Sequence, residues 1–125
     1  MIVGIGVDLV DLARFEEHII DNPRLAERLF HEFELEYPVR QLAGSFAAKE
    51  ALVKALGGPD GLSWNEIFVT RDTAGKPSLN AEGGSATRLR EAGVGKLHLS
   101  ISHDGGMLTA YVIAESLEAK GGTDA

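Results

Sequence analysis

Apolar and small or polar residues alternate over the first ten positions of the chain. Within residues 2–10, apolar side chains occupy positions 3, 5, 7 and 9 and alternate with Gly4, Gly6 and Asp8. A period of two predicts a β-strand with one apolar face. Glycine weakens a strand and often marks the close approach of a ligand or of another backbone. We therefore predict a strand whose glycine face leaves open space beside Asp8.

Three helical segments are predicted between this strand and residue 56. The first follows the cap residue Asp11, and the second begins at Pro23. The third follows Pro38 and runs to about Leu56, where two glycines end it. It is apolar almost all round, which predicts a long central helix buried in the fold. The expected buried stripe of the first helix consists of apolar side chains: Leu12, Phe15, Ile19 and Ile20.

The second half of the chain predicts four strands and one short helix. Residues 67–72 and 77–81 form two strands around the turn TAGKP, and residues 85–92 form a helix. The strands KLHLSISH and MLTAYVIAE are joined by a tight turn at residues 104–106. This order of elements is typical of the α+β class, with a mostly antiparallel sheet packed on the long central helix.

The composition of the 125 residues fits one globular domain. We expect this domain to cover residues 1–120, followed by a flexible C-terminal tail at residues 121–125. A net charge of −7 argues against nucleic-acid binding. The chain has no cysteine, no signal-peptide pattern at its start and no apolar run of the ~20 residues that a membrane span needs. We expect a cytoplasmic protein without a membrane segment.

Glu50 lies between two lysines in the stretch SFAAKEALVKALGG. On a helix, Lys49, Glu50 and Lys54 fall within one sector of roughly 140°. Glu50 and Lys54 can form an ordinary i, i+4 pair, which contributes only ~0.2–0.5 kcal/mol when exposed. Charges on a buried helix cost more than that unless they are paired or bind something. A structural pair and a functional carboxylate are both open on position alone.

Other polar residues also permit two interpretations. Asp8 is either a strand-end carboxylate that faces water or caps the next helix, or a ligand for a hard cation such as Mg²⁺. Ser102, His103 and Asp104 cannot form a catalytic triad, because consecutive strand residues point to opposite faces. His103 either packs at the edge of the core or contacts a phosphate. Lys76, in the turn TAGKP, is either a solvent-exposed turn residue or a point charge for an anion.

Four segments, in this order, resemble the holo-acyl-carrier-protein synthases, the small group of phosphopantetheinyl transferases. They are GIGVDLVDLARF, FAAKEALVKALG, GKP and SISHDGGMLTAYVIAE, and together they span the chain. The resemblance implies the 4′-phosphopantetheinyl transferase fold and a homotrimer with active sites between subunits. It also implies a reaction of fatty acid biosynthesis. In this reaction 4′-phosphopantetheine moves from coenzyme A to a serine of apo acyl carrier protein, with release of adenosine 3′,5′-bisphosphate.

The resemblance also assigns roles to individual residues. Asp8 and Glu50 match two carboxylates that hold Mg²⁺ against the coenzyme A pyrophosphate, and Lys54 matches a lysine that helps the leaving group depart. Whether Glu50 or a metal-bound water takes the serine proton is left open. The residues implied for coenzyme A are Lys54, Gly75, Lys76, Ser102 and His103. The residues implied for the carrier protein are Arg14, Arg24 and Arg28.

The chain departs from the family pattern in two places. Family members commonly carry arginine just before the FAAKE segment, where this chain has Ser45, so one phosphate contact is expected to be missing or moved. Residues 11–36 are net acidic, so an acidic carrier has to be received by a cluster of arginines. Two other functions stay open: a Mg²⁺-dependent pyrophosphatase of coenzyme A or nucleotides, and a non-catalytic coenzyme A-binding or oligomerisation module.

Overall fold

The computed structural model of the chain describes residues 1–117, and the tail predicted at residues 121–125 lies outside them. The helices and strands, in chain order, are β1 Ile2–Asp11, α1 Leu12–Asp21, α2 Pro23–Leu29, α3 Val39–Ala55, β2 Ile67–Arg71, β3 Pro77–Ala81, α4 Gly83–Glu91, β4 Lys96–Asp104 and β5 Met107–Glu115. A short 3₁₀ turn, Trp64–Glu66, precedes β2. The predicted α+β order of elements is confirmed.

Both sheets of the described chain are antiparallel, as predicted. The larger sheet has the strand order β1-β5-β4, and β2 pairs with β3 in a smaller one. The register of the larger sheet places Asp8 of β1 opposite Ala110 of β5, and His103 of β4 opposite Leu108 of β5. Gly105, at a φ of +61°, provides the left-handed backbone that the tight turn between β4 and β5 needs.

The long helix α3 lies against β1 and β5 and is buried over most of its length. Ala47, Ala48 and Ala51 are fully buried, and such small side chains let a helix approach a sheet closely. The helix is followed by Gly57 at a φ of +80°, the left-handed conformation that commonly ends helices. The predicted central helix is therefore confirmed. None of the helices in residues 1–117 has both the length and the apolar content that crossing a membrane requires.

The glycines of β1 pack against the backbone of α3. A Cβ atom at Gly4 would overlap the carbonyl oxygen of Ala55, and one at Gly6 would overlap the carbonyl oxygen of Ala51. Of the two alternatives for the glycine face, a ligand or another backbone, the structure has another backbone at these two positions, and no open space remains there. The same packing brings the end of β1, with Asp8, close to the middle of α3.

The apolar face of β1 points away from the core. Ile5, Val7 and Leu9 are 55%, 49% and 64% exposed, and β5 adds Tyr111 and Met107 to the same face. Antiparallel sheets usually show water a polar face. An apolar face of this extent is typical of a surface that binds another molecule.

Candidate active site

The first helix positions the mouth of the site. The Asp11 side chain accepts a hydrogen bond from the backbone N–H of Arg14 at 3.0 Å, which caps α1 as predicted. Phe15 is buried and packs edge-on against Phe30. Ile20, predicted in the buried stripe, is instead 63% exposed, because α1 buries only the side that carries Phe15. This orientation leaves Arg14 at the rim of a cleft.

That cleft, of about 330 Å³, opens between the end of β1, α1 and α3. Asp8 and Glu50 both line it, together with Arg14, His18 and the ring of Phe46. The structure thus brings together the two carboxylates that the resemblance assigned to Mg²⁺, from elements far apart in the chain.

Lys54 pairs with Asp8 and not with Glu50. Its Nζ donates to Oδ1 of Asp8 at 3.0 Å and to the carbonyl oxygen of Val7 at 3.0 Å. The side chain of Asp8 is 14% exposed and that of Lys54 is 55% exposed, so the pair lies at the surface of the cleft. The ordinary i, i+4 interpretation of Glu50 and Lys54 therefore names the wrong partner.

The ionised form of the Glu50 carboxyl is disfavoured in this cleft. Burial raises the pKa of its carboxyl, the negative charge of Asp8 raises it further, and Lys54 acts in the opposite direction. Two carboxylates that interact in this way repel each other, and a divalent cation between them removes the repulsion. The pair therefore fits Mg²⁺, which takes one or two carboxylates and completes its shell with water and substrate phosphates. Residues 1–117 contain no group of three or more histidines and carboxylates that could hold a metal.

Lys49, next to Glu50, points into the core. Its Nζ lies 2.5 Å from Oε1 of Glu34, and both side chains are fully buried. It also donates to the carbonyl oxygens of Leu29 and Trp64, at 2.7 Å and 3.0 Å. Lys49 thus lies in the core, whereas Glu50 and Lys54 both lie near Asp8, a separation that the shared sector did not predict. The only signal in the sequence was that a buried lysine needs an acidic partner.

A second cleft, of about 310 Å³, lies at the N-terminal end of α3 and contains His103 and Gly75. Arg40, near the start of α3, and Arg71, at the end of β2, line it as well, and neither was predicted as a site residue. Lys76 follows Gly75 and is exposed.

Ser102 and Ser45 do not line this second cleft. Ser102 lines a pocket on the other face of the sheet, with Thr109 and His98, because neighbouring strand residues point to opposite faces. Ser102 and His103 both border a small pocket of about 150 Å³ beside the turn between β4 and β5, but of the two only His103 lines the second cleft. Ser45 is fully buried and its hydroxyl has no hydrogen-bond partner in residues 1–117, so it offers a phosphate no exposed contact.

The predicted carrier-binding arginines lie next to the Asp8–Glu50 cleft. Arg24 and Arg28 line a neighbouring cavity on α2, and His18 of α1 lines both this cavity and the cleft that contains Arg14. Within residues 1–117, none of the three arginines forms an ion pair with a carboxylate. The acidic residues of this region therefore do not neutralise them by direct pairing.

Comparison with known proteins decides the family. Residues 4–114 match the model of the 4′-phosphopantetheinyl transferase superfamily. The chain belongs to this superfamily. It is similar to the holo-[acyl-carrier-protein] synthase of Clavibacter sepedonicus, with 51% identity over 115 residues that cover 92% of this chain and 97% of the relative. The resemblance of the four sequence segments to the holo-acyl-carrier-protein synthases is confirmed.

Solved structures of synthases in the family share the fold. The crystal structure of the enzyme from Neisseria meningitidis has a TM-score of 0.85 at 34% identity and covers 93% of this chain and 100% of its own. The Helicobacter pylori synthase, crystallised in complex with coenzyme A, has a TM-score of 0.78 at 30% identity and covers 89% and 99%. The predicted 4′-phosphopantetheinyl transferase fold is confirmed.

Proposed function

We propose that this chain transfers 4′-phosphopantetheine from coenzyme A to a serine of an apo acyl carrier protein, in fatty acid biosynthesis. One observation carries the proposal: in this member of the family, Asp8 and Glu50 line the same cleft, and Lys54 donates a hydrogen bond to Asp8. The products are the holo carrier protein and adenosine 3′,5′-bisphosphate. We also propose that the enzyme works in the cytoplasm.

The reaction exchanges one phosphorus–oxygen bond for another. The serine oxygen bonds to the phosphorus next to the pantetheine arm, and the bond from that phosphorus to the bridging oxygen breaks. The electron pair leaves with adenosine 3′,5′-bisphosphate, and the serine proton goes to a base. Transfers of this kind depend on in-line positioning and charge neutralisation more than on covalent catalysis.

Asp8 and Glu50 are the residues that would hold Mg²⁺. When bound, the ion neutralises charge on the pyrophosphate oxygens of coenzyme A. Lys54 supplies a second positive charge, which offsets the charge on the departing bisphosphate once its contact with Asp8 is released. The raised pKa of Glu50 belongs to the metal-free cleft, and a cation held by Asp8 and Glu50 would favour the ionised carboxylate.

Arg14, Arg24 and Arg28 form the proposed docking surface for an acidic carrier protein. Their position beside the Asp8–Glu50 cleft places a docked carrier close to the reacting phosphate. Charges at the rim of an interface act mainly on the association rate and on its salt dependence. Replacing Arg24 and Arg28 by glutamine should therefore raise KM for the carrier, and weaken its salt dependence, with little effect on kcat.

The apolar face of the larger sheet supports a homotrimer. Ile5, Val7 and Leu9 form an exposed apolar row, which a second copy of the chain can cover. Residues implied for coenzyme A also lie far apart, such as Lys54 near Glu50 and His103 beside Arg40, which precedes Glu50 by ~15 Å along α3. A site shared between copies joins these two places.

The oligomer has a direct test. Leu9→Asp places a charge in the apolar row and is expected to give a monomer in sedimentation experiments, with loss of transfer. The matched control is Leu35→Asp, since Leu35 is also exposed but lies outside the sheet. A monomeric native protein with full activity contradicts the trimer.

The transferase activity is tested with coenzyme A, apo carrier protein and Mg²⁺. Asp8→Ala and Glu50→Ala are expected to lower turnover by at least ~10²-fold, whereas Glu91→Ala, an exposed carboxylate on α4, keeps native turnover. Wild-type-like turnover in either site variant overturns the metal site. Hydrolysis of coenzyme A without carrier identifies a pyrophosphatase instead, and binding of coenzyme A without turnover identifies a binding module.

A further inference from the structure

Glu34 and Lys49 form an ion pair whose two side chains are fully buried in the core. Taking two charges out of water is costly, and replacing such a pair by apolar residues of similar volume is often neutral or stabilising. The stability of the fold therefore does not explain why the chain has charges at these two positions. The segments that the pair joins suggest another role for it.

The ammonium group of Lys49 binds three different segments of the chain. Its Nζ donates to Oε1 of Glu34 at 2.5 Å and to the carbonyl oxygens of Leu29 and Trp64 at 2.7 Å and 3.0 Å. Since an ammonium has three donors, all of them are used. Leu29 is the last residue of α2, and Trp64 begins the 3₁₀ turn before β2. Lys49 thus connects α3 to the end of α2, to the loop that follows α2 and to the segment that leads into β2.

Both carboxylate oxygens of Glu34 are also used. Oε1 accepts a second hydrogen bond from the backbone N–H of His31 at 3.1 Å. Oε2 accepts from the backbone N–H of Val69, in β2, at 2.9 Å. A buried polar network whose members are all satisfied is rigid and specifies one arrangement of its parts. The pair therefore fixes α3 relative to both α2 and β2.

Other buried contacts of α3 define its rotation less sharply. Several of its fully buried residues are alanines: Ala47, Ala48 and Ala51. Such small side chains form low ridges, which interlock little with a neighbouring element. The hydrogen bonds of Lys49 have fixed directions, and Glu50, the next residue, is turned by about 100° from it around the helix axis. Lys49 therefore directs Glu50 into the cleft that contains Asp8.

We propose that Glu34 is a positioning residue of the transfer reaction. Through Lys49 it holds Glu50 in one place relative to α2, the helix that carries Arg24 and Arg28. The inference rests on the proposed function for the roles of these three site residues. A carrier docked on α2 presents its serine correctly only if α2 and the Asp8–Glu50 cleft keep a fixed separation. A misplacement of about 1 Å can lower the rate ~10²-fold.

Replacing both members of the pair separates positioning from stability. Glu34→Gln/Lys49→Met has no buried charge at these positions, and its glutamine still offers an oxygen to a backbone N–H group. The double variant should be more stable in urea than Lys49→Met alone, which leaves the Glu34 charge unpaired. Its affinity for Mg²⁺ without coenzyme A should fall ~10-fold or more. Its kcat with apo carrier should fall ~10²-fold, with little change in KM for the carrier, because α2 keeps its arginines.

Calorimetry with Mg²⁺ distinguishes a positioning role from a merely structural one, because it measures the dissociation constant separately from the stoichiometry. A structural defect lowers the fraction of folded protein, and with it the stoichiometry, but leaves the dissociation constant of the folded molecules native. A positioning defect raises the dissociation constant itself. If the double variant is too unstable to study, Glu34→Gln alone gives the same distinction.

Ser85→Ala is the matched control for the loss of a buried polar group. Ser85 is fully buried on α4, its hydroxyl donates to Glu66 at 2.8 Å, and it lines neither cleft. This variant should lose stability and keep native Mg²⁺ affinity and kcat.

Native Mg²⁺ affinity or native kcat in the double variant overturns the inference, and so does a native chain that binds no Mg²⁺. If Mg²⁺ affinity depends on the pair but the native chain modifies no carrier, the positioning of Glu50 stands and the proposed function fails.

Discussion

Lys54 bonds to Asp8 across the interface between α3 and β1, with 3.0 Å between Nζ and Oδ1. Glu50, one helical turn earlier on α3, shares the cleft with Asp8 and is left with a raised pKa. The ammonium of Lys54 therefore offsets part of the negative charge that Asp8 and Glu50 place in one cleft. This arrangement makes Lys54 a competitor of any cation that binds Asp8.

We expect Lys54→Met to separate binding from turnover. Turnover should fall ~10²-fold, because one positive charge on the leaving group is lost, while the KM for coenzyme A changes little. The affinity for Mg²⁺ without coenzyme A should rise several-fold, since the variant no longer has a cation at Asp8. Steady-state kinetics and calorimetry with Mg²⁺ measure the two effects.

Lys96→Met, at the exposed start of β4, provides the control for loss of a surface lysine. An unfolded Lys54→Met with native activity per folded molecule would show that Lys54 is structural only.

Glu50→Gln should make the metal-free protein more stable at neutral pH while abolishing transfer. The pKa of this carboxyl is raised above 4.5 by folding, so the folded state binds its proton more tightly than the unfolded state. Stability contributed by the protonated form is therefore lost as the pH rises through the window above 4.5. Glutamine stays neutral and removes this loss.

Urea unfolding in the presence of a chelator measures this difference. The stability gain of Glu50→Gln over the native chain should be larger at about pH 7 than at about pH 4. Saturating Mg²⁺ should then stabilise the native chain and not the variant. A gain that does not depend on pH would show that the carboxyl of Glu50 carries no such strain.

Gly6→Ala should destabilise the protein by ~3 kcal/mol, the upper end of the usual cost of overpacking a well-packed interior. The added methyl group would overlap the carbonyl oxygen of Ala51, which is backbone and cannot change rotamer. For the same reason Ala51→Gly should not rescue the variant. Gly106→Ala is the matched control, since no atom lies within 4 Å of an added Cβ there. Equal midpoints of urea unfolding for the two variants would contradict direct backbone packing.

Much of the fold was predictable because local patterns determine it. The alternation in residues 2–10 identified β1, and the apolar run that ends at Gly57 identified α3. The side of a strand that packs inward was not predictable in the same way. Gly4 and Gly6 face α3 while the apolar residues between them face outward, and only a second element, or a second copy of the chain, determines that choice.

The candidate site was predictable where the family resemblance covers it. Periodicity alone left Asp8 and Glu50 with two interpretations each, and the four segments together assigned them to one metal. Arg40 and Arg71 were missed, because each is a single arginine in a segment without a motif and they meet only through the tertiary fold. The partner of Lys49 was missed for the same reason, since Glu34 comes from the loop before α3.

Lys49→Met should destabilise the protein by ~3–5 kcal/mol. The substitution removes the cation of a buried pair and leaves the Glu34 carboxylate buried without a partner charge. Burial lowers the pKa of Lys49 to about 8, although Glu34 opposes the shift. The unfolded state, with the ordinary value of 10.5, therefore binds more protons between about pH 8 and 10.5. Over that window this lysine makes the native protein more stable as the pH rises, and Lys49→Met should lack this contribution.

Urea unfolding at about pH 7 and about pH 9.5 measures both effects, with Lys96→Met as the exposed control. Because Lys49 also binds the carbonyl oxygens of Leu29 and Trp64, it fixes the rotation of α3 about its axis. That rotation directs Glu50 into the cleft with Asp8. Lys49→Met should therefore lower Mg²⁺ affinity as well as stability, and a variant that keeps native stability would show that the buried pair does not hold α3 in place.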